Sequence, residues 1–240
     1  MTQPYLSVVI PAYNEESRIE ATLEQVHSYL SHQTFSWEVV VADDGSTDGT
    51  ARLVSGFCRD RAGVRLLTLV HRGKGWAVQQ GMLAAAGKYR FLCDADLSMP
   101  IEQIDRFLSP EAQGADIVVG SRELAGSRRI GEPGRRHLMG RGFNWMIRAL
   151  ALPGIRDTQC GFKCFRAETT VPLFERQTLW GFAFDVEILY MARKADLEVR
   201  EVAIDWHYRE GSKVRPLRDA LAMARDVLKI RWSSRGESGN

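Results

Sequence analysis

Asp94 and Asp96, in the stretch FLCDADLSMP, close an apolar run with two carboxylates separated by one alanine. Residues i and i+2 of a strand share a face and lie about 7 Å apart along it. Two anions so placed repel each other unless something cationic or hydrogen-bonding lies beside them. An ion pair, a hydrogen-bonded turn or a bound divalent metal would each supply the relief. Two acidic groups at a strand end can hold Mg²⁺ or Mn²⁺ with few protein ligands, because the phosphates of a substrate complete the shell. Asp43 and Asp44 end a second apolar run, VVVADDGS. They read as a turn and helix cap or, for Asp43, as an acceptor for a base or ribose hydroxyl. Lys74 stands between Gly73 and Gly75 where a helix opens, so its ammonium and the helix amides could meet a phosphate. Taken alone it would be an ordinary exposed lysine. No G-x-G-x-x-G follows the first strand and no Walker A sequence occurs, so NAD and P-loop chemistry lack their motifs.

Strand-like and helical patterns alternate to place these residues. LSVVIPAY, WEVVVADDGS, VRLLTLV, RFLCDADLS and ADIVVGSR read as five buried strands. Helices are expected from Asn14 to Leu30, from the Thr47 or Asp48 cap to about Cys58, and over GKGWAVQQGMLAAAGKY up to Gly87. Alternation with short connections predicts an α/β fold, a mostly parallel sheet with helices on both faces. In such sheets the ligand crevice lies beyond the carboxyl ends of the strands. PAYNE, ADDGS, DADLS and GSR all occupy such ends. After Arg122 a long Gly/Arg-rich connection, too long for a plain loop, predicts a functional lid or acceptor loop. It leads to FNWMIRALAL, DTQCGFKCF, a helix near Phe184 to Lys194, the strand EVREVAIDWHY and a last helix from Pro216 to Trp232.

The 240 residues suit one large domain, 45% hydrophobic and 26% charged, with a net charge of only +2. That charge is unevenly spread. Between Ser121 and Arg148 seven arginines stand against Glu123 and Glu132. Such a block attracts phosphate or anionic lipid, or is a solvated basic loop. The four cysteines show neither a disulfide framework nor metal spacing, which fits reduced thiols in the cytoplasm. No signal peptide and no apolar span of about 18 residues is expected. The tail SSRGESGN reads as disordered.

VVIPAYNEE, VVVADDGSTDGT, GKGWAVQQGMLAAAGKYRFLCDADLSMP, IVVGSR, DTQCGFKCF and FAFDVEIL, in that order, resemble glycosyltransferase family 2 over about Leu6 to Trp232. The resemblance is strongest to its polyprenyl-phosphate branch, which includes the dolichyl-phosphate β-glucosyltransferases. It implies a glycosyltransferase-A fold over residues 1–232. Residues 1–122 would form the nucleotide-binding half and residues 123–232 the acceptor half, closed by a C-terminal amphipathic helix. It also implies a sugar nucleotide donor, a divalent metal and inverting transfer to a lipid phosphate. Pro11, Tyr13 and Glu15 would line the nucleotide pocket with Lys74, and Asp43 would hold the base or ribose. Asp94 and Asp96 would be the metal pair, Asp96 the direct ligand. Arg122 would reach a phosphate, while Gln159 and Lys163 would border the sugar and acceptor.

A phosphate monoester acceptor has a second pKa of about 6 and is already nucleophilic at neutral pH. Such an enzyme needs cations more than a base, and Arg128, Arg129, Arg135 and Arg136 are the candidates. An alcohol acceptor would instead need a base, Asp185 or Glu187. The last helix carries a stripe of Leu217, Leu221, Ala224 and Leu228 that suits either core packing or lipid contact. Lacking an expected span, the chain would meet the membrane peripherally, on its cytoplasmic face, or through a membrane-protein partner. No nucleic acid partner is expected. The terminal LKIRW lacks the glutamine of processive synthases, which favours single transfer. DTQCGFK resembles the glucosyl group, hence UDP-glucose. GDP-mannose, a saccharide alcohol acceptor and a non-catalytic sugar-nucleotide-binding protein remain the alternatives.

Overall fold

The computed structural model describes residues 3–112, 114–133, 152–209, 223, 225–227 and 229–230. Seven strands form the main sheet: β1 (Leu6–Ala12), β2 (Trp37–Asp43), β3 (Val64–Thr68), β4 (Tyr89–Leu92), β5 (Ile117–Ser121), β7 (Lys163–Arg166) and β8 (Val199–Ala203). Their order is β3-β2-β1-β4-β7-β5-β8. All neighbours run parallel except β7, which is antiparallel to both β4 and β5. The predicted α/β architecture is therefore present, with the reversal of strand order falling between β1 and β4. The second half of the chain completes the sheet through β7 and β8.

β1 is buried along its whole length. That is why it reads as a continuous apolar run rather than an alternating one. Val8, Val9, Ile10, Val39, Val40, Val41, Phe91 and Leu92 are fully excluded from solvent, each contributing roughly 1.5–3 kcal/mol of transfer free energy. Helices α1 (Ile19–Ser31), α2 (Thr50–Asp60), α3 (Lys74–Ala84), α4 (Ile104–Phe107), α5 (Ala167–Arg176) and α6 (Phe184–Lys194) cover it. α1 buries Ile19, Leu23, Val26 and Leu30, the stripe its spacing predicts.

Several boundaries differ from expectation, each for a tertiary reason. α1 opens at Ile19 rather than Asn14, because residues 14–16 are drawn into hydrogen bonds with the loop after β2. α3 stops at Ala84, short of Gly87. The amides of Ala86 and Gly87 go instead to Glu38 Oε1 and Ser7 Oγ, which turns the chain into β4. EVREVAIDWHY is two strands, not one: β8 and then β9 (Asp205–His207), which leaves the sheet to pair with β6 (Arg128–Ile130). Part of the expected lid is thus a two-stranded parallel ribbon.

β7 and α5 were not predicted. DTQCGFKCF lacks a long apolar run, and AETTVPLFER carries Pro172 and β-branched residues that argue against a helix. In the last expected helix, Met223, Val227 and Ile230 are helical and buried while Arg225 and Lys229 are exposed. Leu217, Leu221, Ala224 and Leu228 lie outside the described residues, as do residues 134–151 with Arg135 and Arg136, and the tail. No helix among the described residues is long and apolar enough to cross a membrane.

Candidate active site

The loops leaving β1 and β2 are laced together. Asn14, at φ 52°, donates its amide to Ser46 Oγ and accepts from the Thr47 amide at 2.8 Å. The Glu15 amide reaches Thr50 Oγ1 at 2.8 Å, and Glu16 exchanges bonds with Asp48 and Gly49. Asp48 also accepts from the Thr50 amide, but Gly49 occupies the N-cap of α2, so the expected Thr47 or Asp48 cap is displaced by one residue or more. Tyr13 leaves this seam to stack on His71, centroids 4.1 Å apart. Glu15 pairs with Arg18 at 3.1 Å. Pro11 lies one residue before the end of β1.

Asp43, the last residue of β2, and Asp44 just after it have different duties. Asp43 is buried and accepts from the amide and hydroxyl of Ser46. Asp44, also buried, accepts from the Arg72 and Gly73 amides, both at 2.9 Å, and pairs with His71 Nδ1 at 2.7 Å. Neither the separate duty of Asp44 nor the part of His71 is visible in the sequence. Their signal was the Asp doublet at a strand end, which alone cannot say that the second carboxylate turns towards the β3–α3 connection.

That connection delivers Lys74. Gly73 sits at φ 124°, a region closed to other residues, and a Cβ there would strike the Trp180 carbonyl. α3 therefore starts with Lys74 Nζ 2.7 Å from Asp94 Oδ1. Burial opposes the ammonium's charge, but Asp94, Asp185 and Asp96 outweigh it and raise the Lys74 pKa.

The acidic pair does not lie on a strand. β4 ends at Leu92, and Asp94 opens a turn in which its carbonyl accepts from the Leu97 amide, with Leu97 at φ 43°. Strand spacing thus does not govern the two carboxylates. Thr22 of α1 donates to the Ala95 carbonyl at 2.6 Å, and the His207 amide of β9 donates to the Ser98 carbonyl at 2.7 Å, fixing the turn from both sides. Asp96 accepts from the Ser98 amide at 2.9 Å. Both carboxylates remain partly exposed. Among the described residues no group of three His, Cys, Asp or Glu side chains could hold a metal. Two adjacent oxygen donors on one turn nevertheless fit a hard divalent ion whose shell is finished by substrate oxygens and water.

The remaining candidates occupy the neighbouring β7 and β5 ends. Lys163 does not border an open site: it is buried, 2.6 Å from Asp185 and bonded to the Cys160 carbonyl. Its ammonium is held beneath the acidic turn because β7 pairs it with Leu92, just before Asp94. Burial raises the Asp185 pKa while Lys163 and Lys74 pull it back. Glu187 is buried and accepts from the Thr178 amide and hydroxyl and the Leu179 amide.

Arg122 directs its Nε–Nη2 edge to Asp157, at 2.6 and 2.8 Å, rather than into the crevice, and lies over Trp206. Burial would raise the Asp157 pKa, but the Arg122 guanidinium outweighs it and holds the group at about 2. Arg128 is paired with Asp205, and Arg129 with Glu123 and Glu132. Those arginines of the block are neutralised where they stand. Gln159 lies 3.6 Å from Met223 Sδ, against the C-terminal helical segment. Burial keeps Cys93, Cys160 and Cys164 as thiols, the last two with pKa values near 12.

A doubly wound sheet with an acidic turn at the β1/β4 reversal, flanked by a lysine-headed helix and an inserted antiparallel strand, is the architecture of A-type glycosyltransferases. The chain belongs to glycosyl transferase family 2, whose family model matches residues 7–170. It is 38% identical over 242 residues to dolichyl-phosphate beta-glucosyltransferase of Dictyostelium discoideum, covering 95% of this chain and 74% of that protein. The Homo sapiens protein of the same name is 36% identical over 241 residues, covering 94% and 74%. The Saccharomyces cerevisiae protein is 33% identical over 249 residues, covering 95% and 75%. Among solved structures, glucosyl-3-phosphoglycerate synthase from Mycobacterium tuberculosis in complex with UDP superposes with a TM-score of 0.69 at 23% identity, covering 97% of this chain and 80% of that one. A complex of the same enzyme with Mn²⁺, UDP-glucose and phosphoglyceric acid gives 0.68 at 23%, with the same coverage. The chain is an enzyme of this family, a glycosyltransferase.

Proposed function

We propose that the enzyme transfers one glucose from UDP-glucose to a polyprenyl phosphate of the dolichyl type, with inversion and with a divalent metal, Mg²⁺ or Mn²⁺. The observation that carries this reading is the likeness, over about 95% of the chain, to dolichyl-phosphate glucosyltransferases of slime mould, human and yeast. The acceptor being a membrane lipid, the enzyme works peripherally, at the cytoplasmic face.

The site's chemistry supports the same reading. Asp94 and Asp96 would hold the metal, which when bound neutralises charge on the departing nucleoside diphosphate. Lys74 and the first amides of α3 place positive charge where the leaving oxygen becomes negative. Tyr13, Pro11 and Asp43 stand at the ends of β1 and β2, on the side where the nucleoside would lie. A phosphate monoester brings its own anionic nucleophile and asks only to be oriented. This suits a site in which both candidate bases are committed, Glu187 to the 178–179 backbone and Asp185 to Lys163. With Arg128 and Arg129 already paired, Arg135 and Arg136 are the arginines assigned to the acceptor phosphate, and Gln159 is assigned to the acceptor with them.

The test is transfer of labelled sugar into a lipid fraction, with UDP-glucose or GDP-mannose, with and without dolichyl or undecaprenyl phosphate, metal and chelator. Lipid-dependent, chelator-sensitive label from UDP-glucose is the expected result. Label from GDP-mannose alone would overturn the donor assignment, and transfer to a sugar alcohol without lipid phosphate would overturn the acceptor.

A further inference from the structure

Lys74 faces inward. A lysine opening a surface helix ordinarily runs out to water, and its charge is disfavoured at a helix N-terminus. Here the side chain is only 27% exposed and lies 2.7 Å from an Asp94 carboxylate that is 26% exposed. Three contacts keep it there. Asp44, buried behind the loop, takes the amides of Arg72 and Gly73 and the His71 ring, so the approach to α3 is tied down. Gly73, at φ 124°, lets the backbone pass against the Trp180 carbonyl. Opposite, Gly161 packs directly behind the Asp94 carboxylate, closing its retreat. Asp96 is served differently, by the Ser98 amide.

We infer that Lys74 is an internal counter-cation of the metal-site carboxylates and that it couples metal binding to nucleotide binding. The inference rests on the metal- and nucleotide-binding reading of this site. Without nucleotide, the ammonium satisfies Asp94 and repels a divalent ion beside it. A bound diphosphate gives the ammonium a second set of anionic oxygens and offers the ion ligands of its own. Asp94 is then released towards the ion. Linkage requires each ligand to tighten the other by the same factor. Asp44 acts through the loop as a positioning residue for this arrangement.

The experiment is Mn²⁺ binding to the full chain, followed by the electron paramagnetic resonance signal of free Mn²⁺, with and without UDP. The proteins are wild type, Lys74→Met, Lys74→Gln and Lys74→Arg, with thermal melting to identify folded variants. Wild type should bind Mn²⁺ weakly alone and much tighter with UDP. In Lys74→Met or Lys74→Gln, binding of Mn²⁺ alone should tighten by about tenfold, and the gain from UDP should shrink by a similar factor. Lys74→Arg should retain the wild-type coupling. If a folded Met or Gln variant binds Mn²⁺ alone no tighter than wild type, while UDP still promotes binding, the counter-cation role is overturned and the metal site stands. If wild type binds neither Mn²⁺ nor UDP, the reading of the site falls and takes this inference with it.

Discussion

Gly161→Ala adds a methyl group where the Asp94 carboxylate already lies. A Cβ at position 161 would sit 3.0 Å from Asp94 Oδ1, with Cγ and Oδ2 closer still. The nearest oxygen would be at roughly half the ordinary contact distance of about 3.5 Å, so the carboxylate must retreat by more than about 1 Å. Swinging a short side chain costs the fold little, because the three atoms nearest the new methyl all belong to the Asp94 side chain. The site loses more. The methyl presses on the carboxylate from the side away from Lys74 and drives it against the ammonium or aside, while Asp96 stays with its amide, so the two metal donors no longer share one centre. A displacement of this size in a reacting constellation costs on the order of a hundredfold in rate, or about 2.7 kcal/mol of transition-state stabilisation. The assay is kcat/KM for sugar transfer, with Mn²⁺ affinity measured in the presence of UDP and the midpoint of thermal unfolding as a control. We expect kcat/KM to fall about a hundredfold and Mn²⁺ affinity to fall with it, with little change in Tm. A variant within threefold of wild type would show that Asp94 need not stand where the structure puts it, and the metal-pair assignment would fail with it.

Asp96→Ala should abolish metal-dependent transfer while leaving the fold intact, since its carboxylate is partly exposed and caps a single amide; persistent chelator-sensitive turnover would remove Asp96 from the metal. Asp185→Asn leaves the buried Lys163 ammonium without its carboxylate and should destabilise by about 3–5 kcal/mol, measured by urea unfolding. Adding Lys163→Met should restore much of that loss, and the acid limb of the pH–rate profile should be unchanged in the double variant; disappearance of that limb would make Asp185 the base of an alcohol-type reaction. Asp157, held at about 2 against an ordinary 3.8, contributes roughly 2 kcal/mol at neutral pH. Because its pKa is depressed on folding, that contribution is full above about pH 5 and is lost as pH falls through 3.8 towards 2. The stability gap between wild type and Asp157→Asn, measured in urea at a series of pH values, should narrow over that window, and a pH-independent gap would refute the assignment.

The central parallel strands β1, β2, β4 and β5 were legible because they are largely buried and so appear as nearly unbroken apolar runs, and because polar clusters mark where they end. β7 was not. An antiparallel strand of four residues that carries a buried lysine has neither the apolar run nor the alternation that marks a strand, and its place was dictated by the gap between β4 and β5. The same gap explains Lys163. The family resemblance set Lys163 at the border of sugar and acceptor, yet pairing with β4 carries it under the acidic turn, where Asp185 and the Cys160 carbonyl make it tolerable. Arg122, Arg128 and Arg129 show the converse limit. Their number in the sequence measured local charge, but counting cannot reveal the pairing: Asp157 and Asp205 come from other segments, and Arg129 takes both acids of its own loop, Glu123 and Glu132.

The acidic pair itself was visible as a problem before its solution was. Two adjacent carboxylates must be relieved, and the folded chain relieves them with a lysine on Asp94 and an amide on Asp96. Beneath them Lys163 and Asp185 cancel each other. The five groups together leave one negative charge in excess, carried at the partly exposed Asp96. One negative charge is a poor cradle for a diphosphate but a fair one for a cation. Adding a divalent ion turns the excess to one positive charge, and the same pocket becomes complementary to a nucleoside diphosphate. The sign of the site is therefore set so that anion and metal are each bound better in the other's company. That is the condition a transferase needs if it is to hold its donor firmly while the leaving group gathers charge.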